Sequence, residues 1–203
     1  MPFMWPPRPE NAVNRSVLGM YESMGWVAQL KMNGTCTVLE YDPATGALQA
    51  WTRHNEPHKL WTPNLASPSL RKLCDLKGGR YVFVGELLHS KVSGIKDTVY
   101  LFDILVSDGV DLVGKTYQER QTILHGLWPV IQPGHFYNIV DERLWIANVI
   151  KTGFRKEFDS LSRPEEEGLV FKSPQAELEP CWRESANSIW QAKCRRPTKN
   201  YGS

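Results

Sequence analysis

The sequence has few cysteines, no long apolar run and almost no net charge, and each of these absences argues against a class of protein. Its four cysteines form no Cys-x-x-Cys pair, which argues against a zinc site or a disulfide framework and favours a reducing cytoplasm. No apolar run approaches the length of a membrane span, and the proline-rich segment 1–9 is unlike a signal peptide. The formal net charge of +2 argues against a nonspecific nucleic-acid coat and restricts any nucleic-acid binding to local patches.

Composition and apolar periodicity predict one mixed α+β domain over residues 1–203, with largely antiparallel sheets and flanking helices. The chain has 203 residues, 41% of them hydrophobic, which is enough for the core of one domain or of two tightly joined lobes. Strands are predicted up to Tyr41 and at 48–51, 81–88, 99–105, 168–172 and 188–194. Helices are predicted at 69–76 with Ser69 as the cap, at 116–127 with a Thr116–Glu119 capping box, and at 143–158.

The run from Gln29 to Thr37 contains Lys-x-Asn-Gly, in which Lys31 is a candidate nucleophile. An amine attacks phosphorus only when it is deprotonated, so such a lysine requires burial, neighbouring cations or a metal. Gly34 fits a tight turn beside it. Asn33–Gly34 is also the commonest short hairpin signal, and this second interpretation stays open on these residues alone.

Four further runs carry charged or aromatic groups in a fixed order. Glu86 lies near the end of one predicted strand, and Phe102 lies within the next. Glu167 and Lys172 follow on one extended run. The last run places Lys193 and Arg195 two positions apart, so both side chains lie on one face of a strand. Each run alone is ordinary, but the ordered set predicts a lysine-centred nucleotidyltransferase.

From Lys31 to Arg195 the chain resembles the covalent nucleotidyltransferase superfamily of ATP-dependent DNA ligases, RNA ligases and mRNA capping enzymes. The resemblance implies the nucleotidyltransferase catalytic fold and a lysine at position 31 that becomes covalently attached to a nucleoside monophosphate. It implies that Gln29 and Leu30 lie beside the nucleotide and that Arg53 contacts the nucleotide or the nucleic-acid phosphate. It also implies that Glu86 contacts the ribose and that Phe102 stacks on the base. It further implies that Glu167 supports the metal, that Lys172 and Lys193 hold the α-phosphate and that Arg195 replaces the second lysine of a Lys-x-Lys pair.

Three positions, Asn33, Cys36 and Arg195, depart from the pattern of most DNA ligases and capping enzymes. Asn33 and Cys36 stand where those enzymes usually have Asp and Arg, which favours RNA ligases. The segment 102–124 instead resembles the strand, loop and helix of DNA ligases, which slightly favours a DNA substrate. Two alternatives remain: a capping-type guanylyltransferase that uses GTP, and a binding module in which Asn33, Cys36 and Arg195 reflect lost catalysis.

The resemblance implies ATP and Mg²⁺ as cofactors, and nucleic-acid ends or nicks as partners, with no membrane. Relatives usually continue into an OB-fold or helical module after the position of Lys193, whereas we expect no such domain within this chain. A minimal ligase, an adenylation domain taken from a longer enzyme, and a subunit with a separate clamp or partner chain are all compatible with this expectation. The basic tail of Lys193, Arg195, Arg196 and Lys199 is either a solvated terminus or a further contact to phosphates.

Overall fold

Two β-sheets form the framework of the fold in the computed structural model, which describes residues 2–184 and 188–197. The strands are Pro9–Ala12 (β1), Val27–Met32 (β2), Thr35–Asp42 (β3), Ala47–Thr52 (β4), Tyr81–Leu88 (β5), Thr98–Ser107 (β6), Val110–Asp111 (β7), Tyr137–Asp141 (β8), Leu144–Ala147 (β9), Glu166–Lys172 (β10) and Ser188–Arg195 (β11). The α-helices are Leu18–Ser23 (α1), Tyr117–Gly126 (α2) and Phe154–Ser160 (α3), with 3₁₀ helices at Arg15–Val17 and Arg71–Asp75.

The small sheet has the strand order β1-β11-β10-β2, and the large sheet has the order β4-β3-β5-β6-β9-β8, with β7 paired to β6. Within the described residues the β1–β11 and β6–β9 pairs are parallel and the other neighbouring strands are antiparallel. The predicted α+β class with largely antiparallel sheets is therefore confirmed. A hydrogen bond of 2.9 Å from the Tyr100 hydroxyl on β6 to the Leu30 carbonyl on β2 joins the two sheets.

The Asn33–Gly34 turn leads from one sheet to the other, so its interpretation as a hairpin turn is wrong. Strand β2 before it pairs with β10, whereas β3 after it pairs with β4 and β5. The Asn33 amide donates to the Glu165 carbonyl, 2.8 Å away, which holds the turn to the small sheet. Gly34 is required by space, because a Cβ there would lie 2.6 Å from both the Glu86 Cγ and the Leu87 carbonyl oxygen.

The predicted helix with the capping box is confirmed as α2. The Thr116 Oγ1 accepts the Glu119 amide at 3.2 Å, and the Glu119 carboxylate accepts the Thr116 amide at 2.8 Å. The helix predicted at 69–76 shortens to the 3₁₀ helix Arg71–Asp75, whose N-cap is Leu70 rather than Ser69. Ser69 is fully buried, and its hydroxyl pairs with that of Ser67 instead.

The helix predicted at 143–158 is wrong over its first half. Residues 144–147 form β9, which runs parallel to β6, because pairing with a buried central strand outweighs the local helical spacing. Helix α3 begins only after Gly153, whose φ of 75° is unfavourable for other residues. The Glu22 carboxylate, 131 positions earlier, accepts the Gly153 and Phe154 amides and so caps this helix from outside the segment.

The central strands of the large sheet form the main hydrophobic core. Every residue of β5 is buried except Glu86, and every residue of β6 except Phe102 and the terminal Ser107. Helix α2 packs on β6, and its buried Arg120 forms a two-bond ion pair with Asp103, at 2.9 and 3.0 Å. No helix within residues 2–184 and 188–197 is long and apolar enough to cross a membrane.

Candidate functional site

Residues of both sheets line one cavity of about 660 Å³. The lining includes all ten residues that the sequence predicts for the site: Gln29, Leu30, Lys31, Arg53, Glu86, Phe102, Glu167, Lys172, Lys193 and Arg195. Glu86 and Phe102 are the partly exposed positions in the middle of two otherwise buried strands. The large sheet therefore opens to the cavity where the sequence places a carboxylate and an aromatic ring.

Lys31 contacts a buried carboxylate on the neighbouring strand. Its Nζ lies 2.5 Å from the Oε2 of Glu167, and the side chains of these two residues are 18% and 7% exposed. The Nε of Arg195 lies 2.6 Å from the other oxygen, Oε1. Glu167 is thus held between two cations, and it orients the Lys31 amine at the wall of the cavity.

A β-bulge brings Glu167 and Lys172 to the same cavity. The two positions are five apart, so a regular strand would direct their side chains to opposite faces. The register of β10 against β2 shifts by one residue between Glu166 and Gly168, which reverses the alternation at that point. Gly168 has a φ of 154°, and a Cβ there would lie 2.0 Å from the Cys194 carbonyl oxygen. The glycine that follows Glu167 is therefore what permits the bulge.

Lys172 is a buried cation within hydrogen-bonding and aromatic contacts. Its Nζ donates to the Gln29 Oε1 at 2.8 Å and lies 4.5 and 5.1 Å from the ring centroids of Tyr117 and Phe102. The Gln29 amide donates in turn to Gln121 on α2, 3.1 Å away. Burial lowers the pKa of Lys172 to about 8, with the Asp103 charge opposing the shift.

Lys193 lies among other cations. Its Nζ donates to the Pro9 carbonyl at 3.4 Å. Burial lowers its pKa, and the positive charges of Arg195, Lys31, Arg53 and Arg8 lower it further. The cavity lining contains seven cations, namely Arg8, Lys31, Arg53, Lys91, Lys172, Lys193 and Arg195, against three acids, Glu56, Glu86 and Glu167. Such an excess in a chain with a net charge of +2 favours a polyanionic ligand at this place.

Glu86 is held by the backbone that follows Lys31. Its Oε1 accepts the Gly34 amide at 3.1 Å, and Lys91 donates to the Gly34 carbonyl from the other side. Burial raises the pKa of Glu86, while the charges of Lys31 and Lys91 oppose that rise. These contacts hold the Glu86 carboxylate against the turn that follows Lys31.

The lining also includes residues that the sequence prediction does not name, among them Arg8, Lys91 and Gln191. Gln191 lies opposite Lys172 on β11, so strand alternation from Lys193 was the signal that locates it. Arg8 and Lys91 reach the cavity from a proline-rich arm and a loop, whose positions depend on tertiary contacts. Lys199 of the predicted basic tail lies outside the described residues.

Solved structures of DNA ligases share this architecture at low sequence identity. A mycobacterial DNA ligase D complexed with ATP and MES aligns with a TM-score of 0.65 and 19% identity, over 93% of this chain and 60% of that chain. The ligase domain of M. tuberculosis LigD aligns with a TM-score of 0.62 and 18% identity, over 93% of this chain and 59% of that chain. The ATP-dependent DNA ligase of bacteriophage T7 in complex with ATP has a TM-score of 0.51 and 14% identity, over 93% and 68%. The chain has the ligase nucleotidyltransferase fold.

The likeness to these ligases is one of fold. No protein-family model and no curated protein matches the sequence. The chain spans about 60% of the length of the ligase D structures. The ten predicted residues meet in one cavity of this fold, while the role of each stays a prediction.

Magnesium is the metal that a nucleotidyltransferase of the ligase fold implies. Mg²⁺ binds through one or two carboxylates and takes its other ligands from phosphate oxygens and water. Glu86 and Glu167 both line the cavity and fit this donor set. In the described part of the chain no cluster of three or more His, Cys, Asp or Glu side chains could hold a metal by itself. The donor set therefore fits an ion that arrives with a triphosphate.

Proposed function

We propose that this domain is an ATP-dependent polynucleotide ligase that works through a covalent Lys31–AMP intermediate, with DNA favoured over RNA as the substrate. The observation that supports this function is the contact of Lys31 with Glu167 in a cavity that also contains Lys172, Lys193 and Arg195. A nucleophilic amine, a carboxylate beside it and several cations are the groups that transfer of a nucleotidyl group to lysine requires.

In the proposed first step the Lys31 nitrogen forms a bond to the α-phosphorus of ATP, and the bond from that phosphorus to pyrophosphate breaks. The Glu167 Oε2 lies 2.5 Å from the Lys31 nitrogen and is the proposed acceptor of the proton that leaves the ammonium. Lys172, Lys193 and Arg195 stabilise the charge that develops on the α-phosphate oxygens. A bound Mg²⁺, supported by Glu167, would neutralise the departing pyrophosphate.

The remaining side chains select and orient the nucleotide. Phe102 offers an aromatic face to the base, while Lys172 lies 5.1 Å from the centroid of its ring. Glu86 contacts the ribose hydroxyls, and its orientation comes from the Gly34 amide. Gln29 and Leu30 lie on the strand that ends at the nucleophile and line the same cavity. Arg53 contacts phosphates at the cavity wall.

In the second and third steps the AMP passes to a 5′-phosphate end, and a neighbouring 3′-hydroxyl displaces it to join the strand. A DNA substrate is favoured because β6, the following loop and α2 form the strand, loop and helix expected of DNA ligases, and because the fold neighbours are DNA ligases. Asn33 and Cys36 favour the RNA alternative. The four cysteines are free thiols, which supports a cytoplasmic location.

The test is incubation of the purified chain with ATP labelled at the α-phosphate and Mg²⁺, followed by a denaturing gel. The wild-type chain should acquire an acid-labile label, and Lys31→Ala should not. Lys156→Ala, which removes an exposed lysine of α3, serves as the matched control and should label normally. Labelling that survives in Lys31→Ala would contradict the assignment of the nucleophile.

The same assay separates the alternatives. A label from GTP but not from ATP would indicate a guanylyltransferase, and no label from either would indicate a binding module. Sealing of a nicked DNA duplex and of a nicked RNA duplex by the labelled protein then decides between the two substrates.

A further inference from the structure

Main-chain hydrogen bonds attach the N-terminal arm, residues 5–12, to the small sheet and to the segment that precedes β11. The Trp5 amide donates to the Cys181 carbonyl, and the Ser188 amide donates to the Arg8 carbonyl, both at 2.7 Å. Strand β1 then pairs in parallel with β11, the strand that carries Lys193. The arm is therefore a structural part of the sheet that lines the cavity.

Arg8 enters the cavity lining from this arm. It stands between Pro7 and Pro9, whose rings restrict the backbone on both sides of it. The Pro9 carbonyl accepts the Lys193 ammonium at 3.4 Å, so the arm and the α-phosphate lysine are in direct contact. Ordering Arg8 in the folded state costs little backbone entropy, because the two prolines already restrict the backbone beside it in the unfolded chain.

Arg8, Arg53 and Lys193 have no acidic partner among residues 2–184 and 188–197, since no carboxylate lies within ion-pair distance of them. The contact that Arg53 makes is with the neighbouring imidazole of His54, 3.0 Å away. The charges of Arg8 and Arg53 both act on Lys193, and each makes its protonated form less favourable. Cations held together without an acid repel one another, and a bound anion would relieve that repulsion.

We propose that Arg8, together with Arg53 and Lys193, forms a phosphate-binding subsite at the wall of the cavity, with Arg8 supplying a bidentate contact. This inference rests on the proposed function of the same cavity. The planar fork of arginine matches two oxygens of one phosphate, which a lysine at position 8 would not do. The ligand is either the terminal phosphates of ATP or the 5′-phosphate of a nucleic-acid strand.

The experiment measures binding of three probes to the purified full chain and to Arg8→Ala. The probes are inorganic pyrophosphate, ATP, and a nicked duplex prepared with either a 5′-phosphate or a 5′-hydroxyl. Arg71→Ala, which removes an exposed arginine outside the cavity lining, is the matched control. Loss of a charge-assisted bidentate contact should weaken binding by about 10-fold or more in Arg8→Ala, while Arg71→Ala stays at the wild-type value.

The three probes distinguish the two sources of the phosphate. Weaker binding of pyrophosphate and ATP assigns the subsite to the triphosphate. A weaker preference for the 5′-phosphate over the 5′-hydroxyl duplex assigns it to the strand end. Wild-type binding of all three probes by Arg8→Ala would overturn the proposal.

Two further variants, Arg8→Gln and Arg8→Lys, serve as controls for this test. Arg8→Gln keeps most of the aliphatic stem and serves if Arg8→Ala does not fold, and Arg8→Lys should recover only part of the affinity because it keeps the charge without the fork. Pyrophosphate binding needs no covalent step. A chain that binds pyrophosphate through Arg8 but acquires no label would therefore contradict the proposed ligase function and leave the subsite standing.

Discussion

The small sheet presents five charged side chains to the cavity, whereas β5 and β6 of the large sheet present one carboxylate, Glu86, and the rings of Tyr100 and Phe102. On the small sheet, Lys31, Glu167, Lys172, Lys193 and Arg195 all line the cavity. On β5 and β6 of the large sheet, Glu86 and Phe102 interrupt two buried runs. In the proposed function, the small sheet supplies the groups for phosphate transfer, and the large sheet supplies the main core and the side chains proposed to contact the base and the sugar.

The largest expected effect is on stability and concerns the ion pair between Arg120 of α2 and Asp103 of β6, in the large sheet. Arg120→Met should lower the free energy of unfolding by about 3–5 kcal/mol, because it leaves the Asp103 carboxylate buried without its partner. The side chains of Arg120 and Asp103 are 0% and 4% exposed, and two hydrogen bonds join them. Urea unfolding followed by circular dichroism measures the loss.

The matched control for Arg120 is Arg15→Met, which breaks the exposed ion pair with Asp159 and should change stability little. The double variant Asp103→Leu, Arg120→Met should be more stable than Arg120→Met alone, since no buried charge is left unpaired. Equal stability of Arg120→Met and the wild type would show that this ion pair does not support the large sheet.

The second-largest expected effect is on the rate of Lys31 labelling and concerns Lys172 of the small sheet. Lys172→Met should reduce the rate of Lys31 labelling by about 10²–10³-fold, the loss typical when one stabilising donor is removed from a developing oxyanion. Its pKa of about 8 means that the cation is lost as the pH rises through 8, so labelling by the wild type should lose this contribution there. Single-turnover labelling across pH 7–10 measures both effects.

The same lysine gives a stability test with a defined sign. The pKa of Lys172 lies below the ordinary lysine value of 10.5, so the unfolded chain binds more protons than the folded one between about pH 8 and 10.5. The contribution of this group to the free energy of unfolding therefore rises with pH across that window and is absent in Lys172→Met.

Lys172→Arg keeps a positive charge at this position across the same pH range. Labelling by Lys172→Arg should therefore not fall above pH 8, whereas labelling by the wild type should. If labelling by Lys172→Arg falls above pH 8 as it does in the wild type, the charge of Lys172 does not contribute to the labelling reaction.

The smallest expected effect concerns the aromatic position of the large sheet. Phe102→Ala should weaken ATP use by about 1–3 kcal/mol, in line with the loss of an aromatic stacking platform. Phe102→Tyr keeps the ring and should stay near the wild-type value. The measurement is the KM for ATP in the labelling assay, and an unchanged KM in Phe102→Ala would mean that this side chain belongs to the core alone.

Patterns that depend on neighbouring residues were predictable from the sequence. The capping box at Thr116 forms because both partners lie within one turn of the helix that they begin. Lys193 and Arg195 line one cavity because alternation along a strand needs no distant contact. The first half of the helix predicted at 143–158 is wrong for the opposite reason, since β9 pairs with β6, more than 40 positions earlier in the chain.

By itself the sequence determined the apolar periodicity, which predicts the α+β class. It also determined the ordered motifs, whose resemblance to the covalent nucleotidyltransferases implies the ten residues that meet in the cavity. The tertiary structure alone decided how they meet. It places β2 and β3 in different sheets, and it reverses the strand alternation at Gly168 so that Glu167 contacts Lys31. It also brings Arg8 from the N-terminal arm to Lys193. These features depend on contacts between segments up to about 180 positions apart. A local sequence pattern does not specify which distant segment it will pair with.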